Sequence, residues 1–414
     1  MDLRLHRTRD ILKNDEFKQS VLGIFVCKDG ITFCVHPALL ELSESYIQTE
    51  NGEFSKEEIL RKIDEFDNMI NSIEPSIVIL STTISFPGPV KNDVVEITNW
   101  WSSGDNHFKQ SDFTVFKCFN TGKISMINDI QALGHGIIST DEFYGLEDAF
   151  LPLWKPPAMD AMPALYPLYF SSDAAVVLQI SVGLGAAFII PMDSTNSYSV
   201  ISSEWGHSLL QICGPEEPNY EEELELMNFI RERKGEAAEW EDICSYRGLQ
   251  TCYDFELMKK MKESNQPSSL YTPNLKHNSV RTSNSKEFDQ IKEIEKDVND
   301  PVASKALETH FKFIMRFAKT CAVGFKCKSV FLSYSVFDDG HKALQKHVAM
   351  CRDEFMHFTK SEWVSNVCVF VQYSQRNLSS MGALYHALIE WSRIESKKSF
   401  SISEIDKIDI EATH

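Results

Sequence analysis

Between Lys123 and Ile137 the sequence reads KISMINDIQALGHGI, and no single kind of secondary structure satisfies it. Ile124 to Ile127 is an apolar run of strand length, Asn128-Asp129 ends it, and Ile130, Leu133 and Ile137 then recur at helical spacing. A strand that hands over to a helix through a capping residue is the repeating unit of an α/β sheet. An Asn-Asp pair at such a junction stands at the carboxyl end of a strand, where open α/β sheets present side chains to ligands. Taken alone, the pair reads as helix capping. Residues elsewhere in the chain are what point to chemistry.

The same alternation runs through the rest of the sequence. Val21 to Val35 predicts a hairpin around Asp29-Gly30. Ser55 caps a helix through Ile73, with Glu58 three residues on and Ile59, Ile63, Phe66, Ile70 and Ile73 on its apolar face. Pro75 to Leu80 is a buried strand before the turn Phe86 to Pro89, and a further strand is expected over Phe113 to Cys118. Leu151 to Tyr169 reads as a Pro-rich loop, and Ala174 to Ile190 as a second hairpin with Gly183 and Gly185 at its bend. Tyr220 to Arg233 is an acidic helix, and Ser264 to Ser285 a polar, mobile excursion. Helices over Ser304–Val323 and Leu378–Ile394 alternate with strands over Ser329–Ser333 and Val367–Gln372, and the charged tail after Ser396 is expected to fray. No internal sequence repeat is visible.

Composition removes several function classes. A chain of 414 residues is long enough for two or three domains with filled cores. Lys and Arg number 41 against 60 Asp and Glu, a net charge of −19. That charge repels phosphates, which argues against nucleic acid and anionic membranes as partners. The ten cysteines show no CxxC pairing and no metal-ligand spacing, and most sit in apolar runs. They read as reduced thiols of a cytoplasmic, reducing compartment. The start of the chain lacks the apolar core of a signal peptide, and Ala174–Pro191, the longest apolar stretch, is interrupted by Gln179, Ser181 and two glycines, so membrane insertion is not expected.

Five short segments, in order and with compatible spacing, resemble the bacterial-type glucokinases of the sugar kinase and actin-like ATPase superfamily. Ile84-Ser-Phe-Pro-Gly-Pro-Val90 with Ile97-Thr-Asn-Trp100 is similar to that family's AGPV and TN-x-x-W elements. Ile127-Asn-Asp129 is similar to its NDF segment, Ser181-Val-Gly-Leu-Gly185 to GTGLG, Ser203-Glu-Trp-Gly-His207 to EGGH, and Glu241 to Leu249 to ERVLSGPGL. The resemblance covers roughly Val21 to Trp391. It implies a two-lobed actin-like ATPase (ribonuclease H-like) α/β fold with a cleft between a small and a large lobe. The small lobe is expected over 19–122, completed by a helix at about 381–394, and the large lobe over 123–380, with flexible ends at 1–18 and 397–414.

The resemblance also assigns roles. Asp129 matches the catalytic base that takes the proton of a sugar 6-hydroxyl. Asn128, Glu204, His207 and Glu241 match the residues that hold the hydroxyls of glucose or a similar hexose. Gly183 and Gly185 match cofactor-binding positions for ATP, which with Mg²⁺ would be the cofactor of an active kinase; no protein metal site is expected. The phosphate-handling half departs from the family. Ile24 stands in place of its Mg²⁺-positioning Asp, and Val26-Cys27 in place of its glycine pair. Val330 to Tyr334 occupies the place of FIAGG without its two glycines, Trp205 replaces a glycine, and Tyr246-Arg247 replaces Gly-Pro. Phosphoryl transfer rests on positioning and electrostatic stabilisation, so these changes remove what the reaction needs. Three readings follow: a pseudoenzyme used as a binding or structural subunit of an intracellular or cytoskeletal assembly, with a protein partner or a second copy; an active divergent glucokinase; and a related sugar-kinase-fold regulator.

Overall fold

The structure, a computed structural model, describes residues 10–39, 45–97, 105–119, 122–154, 173–192, 197–263, 300–337 and 339–411. The chain divides into two compact units, Met1–Gly145 with Arg376–His414, and Leu146–Gln375.

The first unit begins with an antiparallel meander of β1 (Gln19–Cys27), β2 (Gly30–Pro37) and β3 (Tyr46–Asn51). Then come β4 (Val78–Phe86), a small three-stranded sheet of β5 (Val90–Lys91), β6 (Val94–Glu96) and β7 (His107–Lys109), and β8 (Lys123–Asn128). β4 and β8 extend the meander in parallel, in the order β3-β2-β1-β4-β8. β1 is buried along nearly its whole length, which is why Val21 to Val26 reads as a continuous apolar run. The β5–β6 turn places Asn92 and Asp93 at φ of 52° and 59°, the left-handed pair that a two-residue hairpin requires.

Helix α1 (Lys56–Ile73) starts with a closed capping box: Glu58 N donates to Ser55 Oγ at 3.3 Å, and Ser55 N to Glu58 Oε2 at 2.8 Å. Such a cap is worth about 1 kcal/mol. Ile59, Ile63, Phe66 and Ile70 are buried on this helix in one apolar cluster with Leu22, Ile24 and Val26 of β1, and Phe66 stacks on Phe33 at 4.2 Å. Helix α2 (Asp129–Phe143) and the C-terminal helix (Leu378–Glu411) cross at two glycines. A Cβ on Gly136 would stand 2.7 Å from the Leu378 carbonyl carbon, and one on Gly382 2.7 Å from that of Ala132. The C-terminal helix also lies on β1, where a Cβ on Gly23 would stand 2.6 Å from Leu384 Cα.

In the second unit, β10 (Ala175–Ile180), β11 (Leu184–Met192) and β12 (Ser197–Ser203) form another meander. β13 (Ser329–Tyr334) and β14 (Cys368–Gln372) extend it in parallel, and β9 (Phe150–Trp154) adds an antiparallel strand beyond β14. Five of the six strands repeat the topology of the first unit's sheet, β12-β11-β10-β13-β14 against β3-β2-β1-β4-β8. A repeat absent from the sequence is therefore present in the chain path. Helices α3 (Tyr220–Lys234), α4 (Tyr246–Glu263) and α5 (Pro301–Gly324) belong to this unit. α5 carries Pro301 in its first turn and is capped by Asp300, whose Oδ1 accepts from Val302 N at 2.8 Å. Arg316 on α5 donates to both carboxylate oxygens of Glu223, at 2.7 and 2.9 Å, and to Glu354 at 2.9 Å, tying α3 to α5.

Several expectations are corrected. The first unit runs to Gly145 rather than to 122, because β8 pairs with β4 and α2 crosses the C-terminal helix. Phe113 to Cys118 is not a strand. Phe113, Phe116 and Phe119 are buried at a three-residue spacing, joined by turns in which each backbone N–H donates three residues back. Leu151 to Trp154 belongs to β9 rather than to a loop, and Gly185 lies inside β11 opposite Gln179, so the bend is Ser181 to Gly183. The C-terminal helix continues past Ile394 to Glu411, through a stretch with no Gly or Pro to stop it. Thr98 to Trp100, the rest of the Pro-rich loop and Ser264 to Ser285 lie outside the described residues. Among the described residues no helix is long and apolar enough to cross a membrane.

The glycine crossing is directly testable. Gly382→Ala is expected to destabilise the first unit by about 1–3 kcal/mol, the usual cost of overpacking. Chemical denaturation followed by circular dichroism reads this, and an unchanged midpoint would mean that the helices separate freely.

Candidate functional site

In the first unit, Asn128 closes β8 and caps α2. Its Oδ1 accepts from Ile130 N at 2.9 Å, and its Nδ2 donates to Gly88 O at 2.8 Å. One amide thus ties the start of α2 to the Pro-Gly-Pro turn after β4, and the residue is buried. Asp129 opens the helix, half-buried, with Oδ1 also accepting from Ile130 N at 2.9 Å. A carboxylate there is stabilised by the positive end of the helix.

The β1–β2 hairpin closes with Cys27 opposite Gly30, which leaves two residues, Lys28 and Asp29, in the turn. Cys27 Sγ donates to Gly30 O at 3.5 Å. Burial pushes the Cys27 thiol pKa up, and the charges of Asp29 and Asp129 add to that. Ile24 and Val26 are fully buried in the cluster shared with α1. Where the family pattern has a Mg²⁺-positioning carboxylate and a glycine turn, this chain has regular strand and a tight hairpin.

In the second unit, the turn Ser181 to Gly183 meets Glu241. Glu241 Oε2 accepts from Leu184 N at 3.0 Å, and a Cβ on Gly183 would stand 2.8 Å from the same oxygen. Tyr246 N donates to Ser181 O at 2.7 Å, and Ser245 Oγ to Glu241 O at 2.7 Å, so the two turns hold each other. Gly183, which the resemblance assigns to the cofactor, has the Glu241 carboxylate as its nearest side-chain neighbour. Gly185 does not join the cluster.

Glu204 and His207 flank a single 3₁₀ turn after β12. Trp205 between them leans on Phe188 and Phe325, with ring centroids 5.9 and 5.8 Å away, and reaches over Gly324, where a Cβ would be 2.7 Å from its ring. It anchors the turn in apolar surroundings. Tyr334 is likewise buried, its ring against Phe311 and Phe337 and its hydroxyl 3.1 Å from His310 Nε2.

His207 Nε2 lies 4.0 Å from Glu241 Oε2, and its Nδ1 is 3.1 Å from Glu239 Oε2. Burial lowers the imidazole's pKa, but the Glu239 hydrogen bond and the charges of Glu241, Glu239 and Glu204 outweigh it and raise the pKa above the ordinary value. Glu239 and its ion-pair partner Lys234, 3.2 Å away, are absent from the family motifs used in reading the sequence. The signal that was available is Glu239-Trp240-Glu241, two carboxylates flanking a tryptophan that is 1% exposed.

Comparison with known proteins bears on this geometry. The Glucokinase family model matches residues 43–333, more than half of the chain. The chain belongs to the glucokinase family. It is 27% identical over 355 residues to Glucokinase 1 of Trichomonas vaginalis, covering 83% of this chain and 87% of that protein. Among solved structures, glucokinase from Balamuthia mandrillaris in complex with glucose superposes with a TM-score of 0.73 at 24% identity, over 93% of this chain and 97% of that one. A ROK hexokinase from Thermus thermophilus superposes with a TM-score of 0.53 at 12% identity, over 90% and 99% of the two chains. The fold is the α/β actin-like ATPase fold of these sugar kinases.

If Gly183 is small to admit Glu241, then Gly183→Ala displaces that carboxylate and leaves the Leu184 amide unpaired. The expected outcome is faster hydrogen exchange at Leu184 and a loss of roughly 1–3 kcal/mol. Unchanged protection of that amide would contradict the assignment.

Proposed function

We propose that this glucokinase-family chain binds a hexose through Asn128, Asp129, Glu204, His207 and Glu241, has lost efficient phosphoryl transfer, and acts as a binding or structural subunit of an assembly. The observation that carries this reading is the β1–β2 hairpin, where Ile24 and Val26 are fully buried strand residues. A kinase of this family needs a carboxylate for hydrated Mg²⁺ and glycine backbone around phosphate, and a buried isoleucine and valine supply neither. The residues assigned to sugar contact are of the right kind. Carboxylates, an amide and an imidazole satisfy a ring of hydroxyls with charge-assisted hydrogen bonds. The Balamuthia neighbour, solved with glucose, supports glucose as the first ligand to try.

The active-kinase reading is favoured by one observation, the Asp129 carboxylate at the start of α2. A base within reach of the hydroxyl is worth roughly 10²–10⁴ in rate, but only when a γ-phosphate is positioned to receive the alkoxide. A cytoplasmic, reducing location suits the cysteines: the nine whose side chains the structure describes are free thiols, all buried except the half-buried Cys27 and Cys213.

Two measurements test the proposal. Calorimetry is expected to show millimolar or tighter binding of glucose, weakened about tenfold or more by Glu241→Ala, the loss of a charged hydrogen-bonding group. A coupled assay with Mg-ATP and glucose is expected to show turnover far below the ~1–10³ s⁻¹ of ordinary enzymes, unrescued by Ile24→Asp alone. A robust rate abolished by Asp129→Ala would establish the active kinase instead.

A further inference from the structure

We propose that Glu239, held by Lys234, is a positioning residue that orients His207 through Nδ1, so that Nε2 donates to the bound hexose. This rests on the hexose-binding reading above.

The geometry begins with Trp240, buried against Phe313 and Phe317 at centroid distances of 6.4 and 5.3 Å. Backbone bonds then lock the segment to the His207 turn: Trp240 N donates to Ser208 O at 3.2 Å and Leu210 N to Ala238 O at 2.9 Å. Glu239 itself is held at three points. Its N–H donates to Asp242 Oδ2 at 2.8 Å, its Oε2 meets Lys234 Nζ at 3.2 Å, and the same oxygen meets His207 Nδ1 at 3.1 Å. Lys234 is in turn fixed by donating to Asp242 Oδ2 at 2.9 Å.

A carboxylate only accepts hydrogen bonds, so Nδ1 of His207 must carry a proton whenever this contact is made. The state of Nε2 then follows from the charge of the ring. A neutral imidazole presents a lone pair at Nε2, and an imidazolium presents an N–H. The charged groups facing His207 are Glu239, Glu241 and Glu204, all acidic, with Lys234 behind Glu239 as the nearest compensating cation. Glu241 Oε2 is 4.0 Å from Nε2, beyond hydrogen-bond range, so it favours the charged ring without consuming the Nε2 proton. That proton remains for a ligand hydroxyl.

The sign is definite. The contacts favour the protonated ring, so hexose affinity is greatest while the imidazole is charged and the carboxylates are ionised, and falls as pH rises through the raised pKa of His207. Glu239→Gln keeps an acceptor oxygen for Nδ1 but removes the charge. Lys234→Met leaves Glu239 with its full field on the ring.

The experiment follows the His207 ring protons by NMR across pH in the full chain, alongside glucose titrations at each pH. Glu239→Gln is expected to move the His207 titration to lower pH, and Lys234→Met to higher pH. The loss of glucose affinity should move with each, and at neutral pH Glu239→Gln should bind about tenfold more weakly, the loss of one charge-assisted hydrogen bond. A purely structural role predicts no shifts of opposite sign. A His207 titration unmoved by either variant, with glucose still bound, overturns the proposal. Opposite shifts with no glucose binding by the unmodified chain leave the charge relation intact and sink the hexose reading instead.

Discussion

Two helices of the first unit touch backbone to backbone, and the first half of the candidate site depends on that contact. Gly136 of α2 and Gly382 of the C-terminal helix admit each other only because neither carries a side chain, and Gly23 lets the same helix lie on β1. A methyl group at any of these positions would force apart elements that close packing holds within a few tenths of an ångström. Since α2 begins at Asp129, the crossing fixes where that carboxylate stands relative to the sheet. Asn128 completes the anchoring by bonding the first turn of the helix and the Gly88 carbonyl together.

The second unit solves a different problem, that of placing several acidic groups near one another. Glu204, Glu239 and Glu241 lie around one imidazole, and Lys234 is the cation that offsets them. Repulsion among carboxylates is reduced by giving two of them specific donors: Leu184 N for Glu241, and His207 with Lys234 for Glu239. At Glu239 burial raises the carboxyl pKa, but the hydrogen bonds from His207 and Lys234 outweigh it and favour the charged form.

The two sheets share a topology, and their first hairpins differ at the turn. The β10–β11 turn keeps Gly183, and the space it leaves is taken by Glu241. The β1–β2 turn has become a two-residue hairpin whose strands run regularly up to Cys27 and Gly30. One turn holds a glycine beside a carboxylate, and the other carries Val26-Cys27 where the family pattern has a glycine pair.

Much was legible in the sequence because it depends on neighbours within a few residues. The capping box of α1, the strand-to-helix junction at Asn128-Asp129 and both hairpins follow from local spacing and capping chemistry, and the motif order pointed to the family. What depends on distant partners was not legible. Phe113, Phe116 and Phe119 looked like strand residues because nothing local distinguishes a β-prone run from a 3₁₀ chain whose rings are all buried. The end of the first unit was misplaced at 122 because the contact of α2 with the C-terminal helix spans most of the chain. The approach of Glu241 to Gly183 and the presence of Glu239 beside His207 were likewise decided by tertiary structure alone. Each is a distance between side chain and backbone groups far apart in sequence, and local periodicity carries no information about such distances.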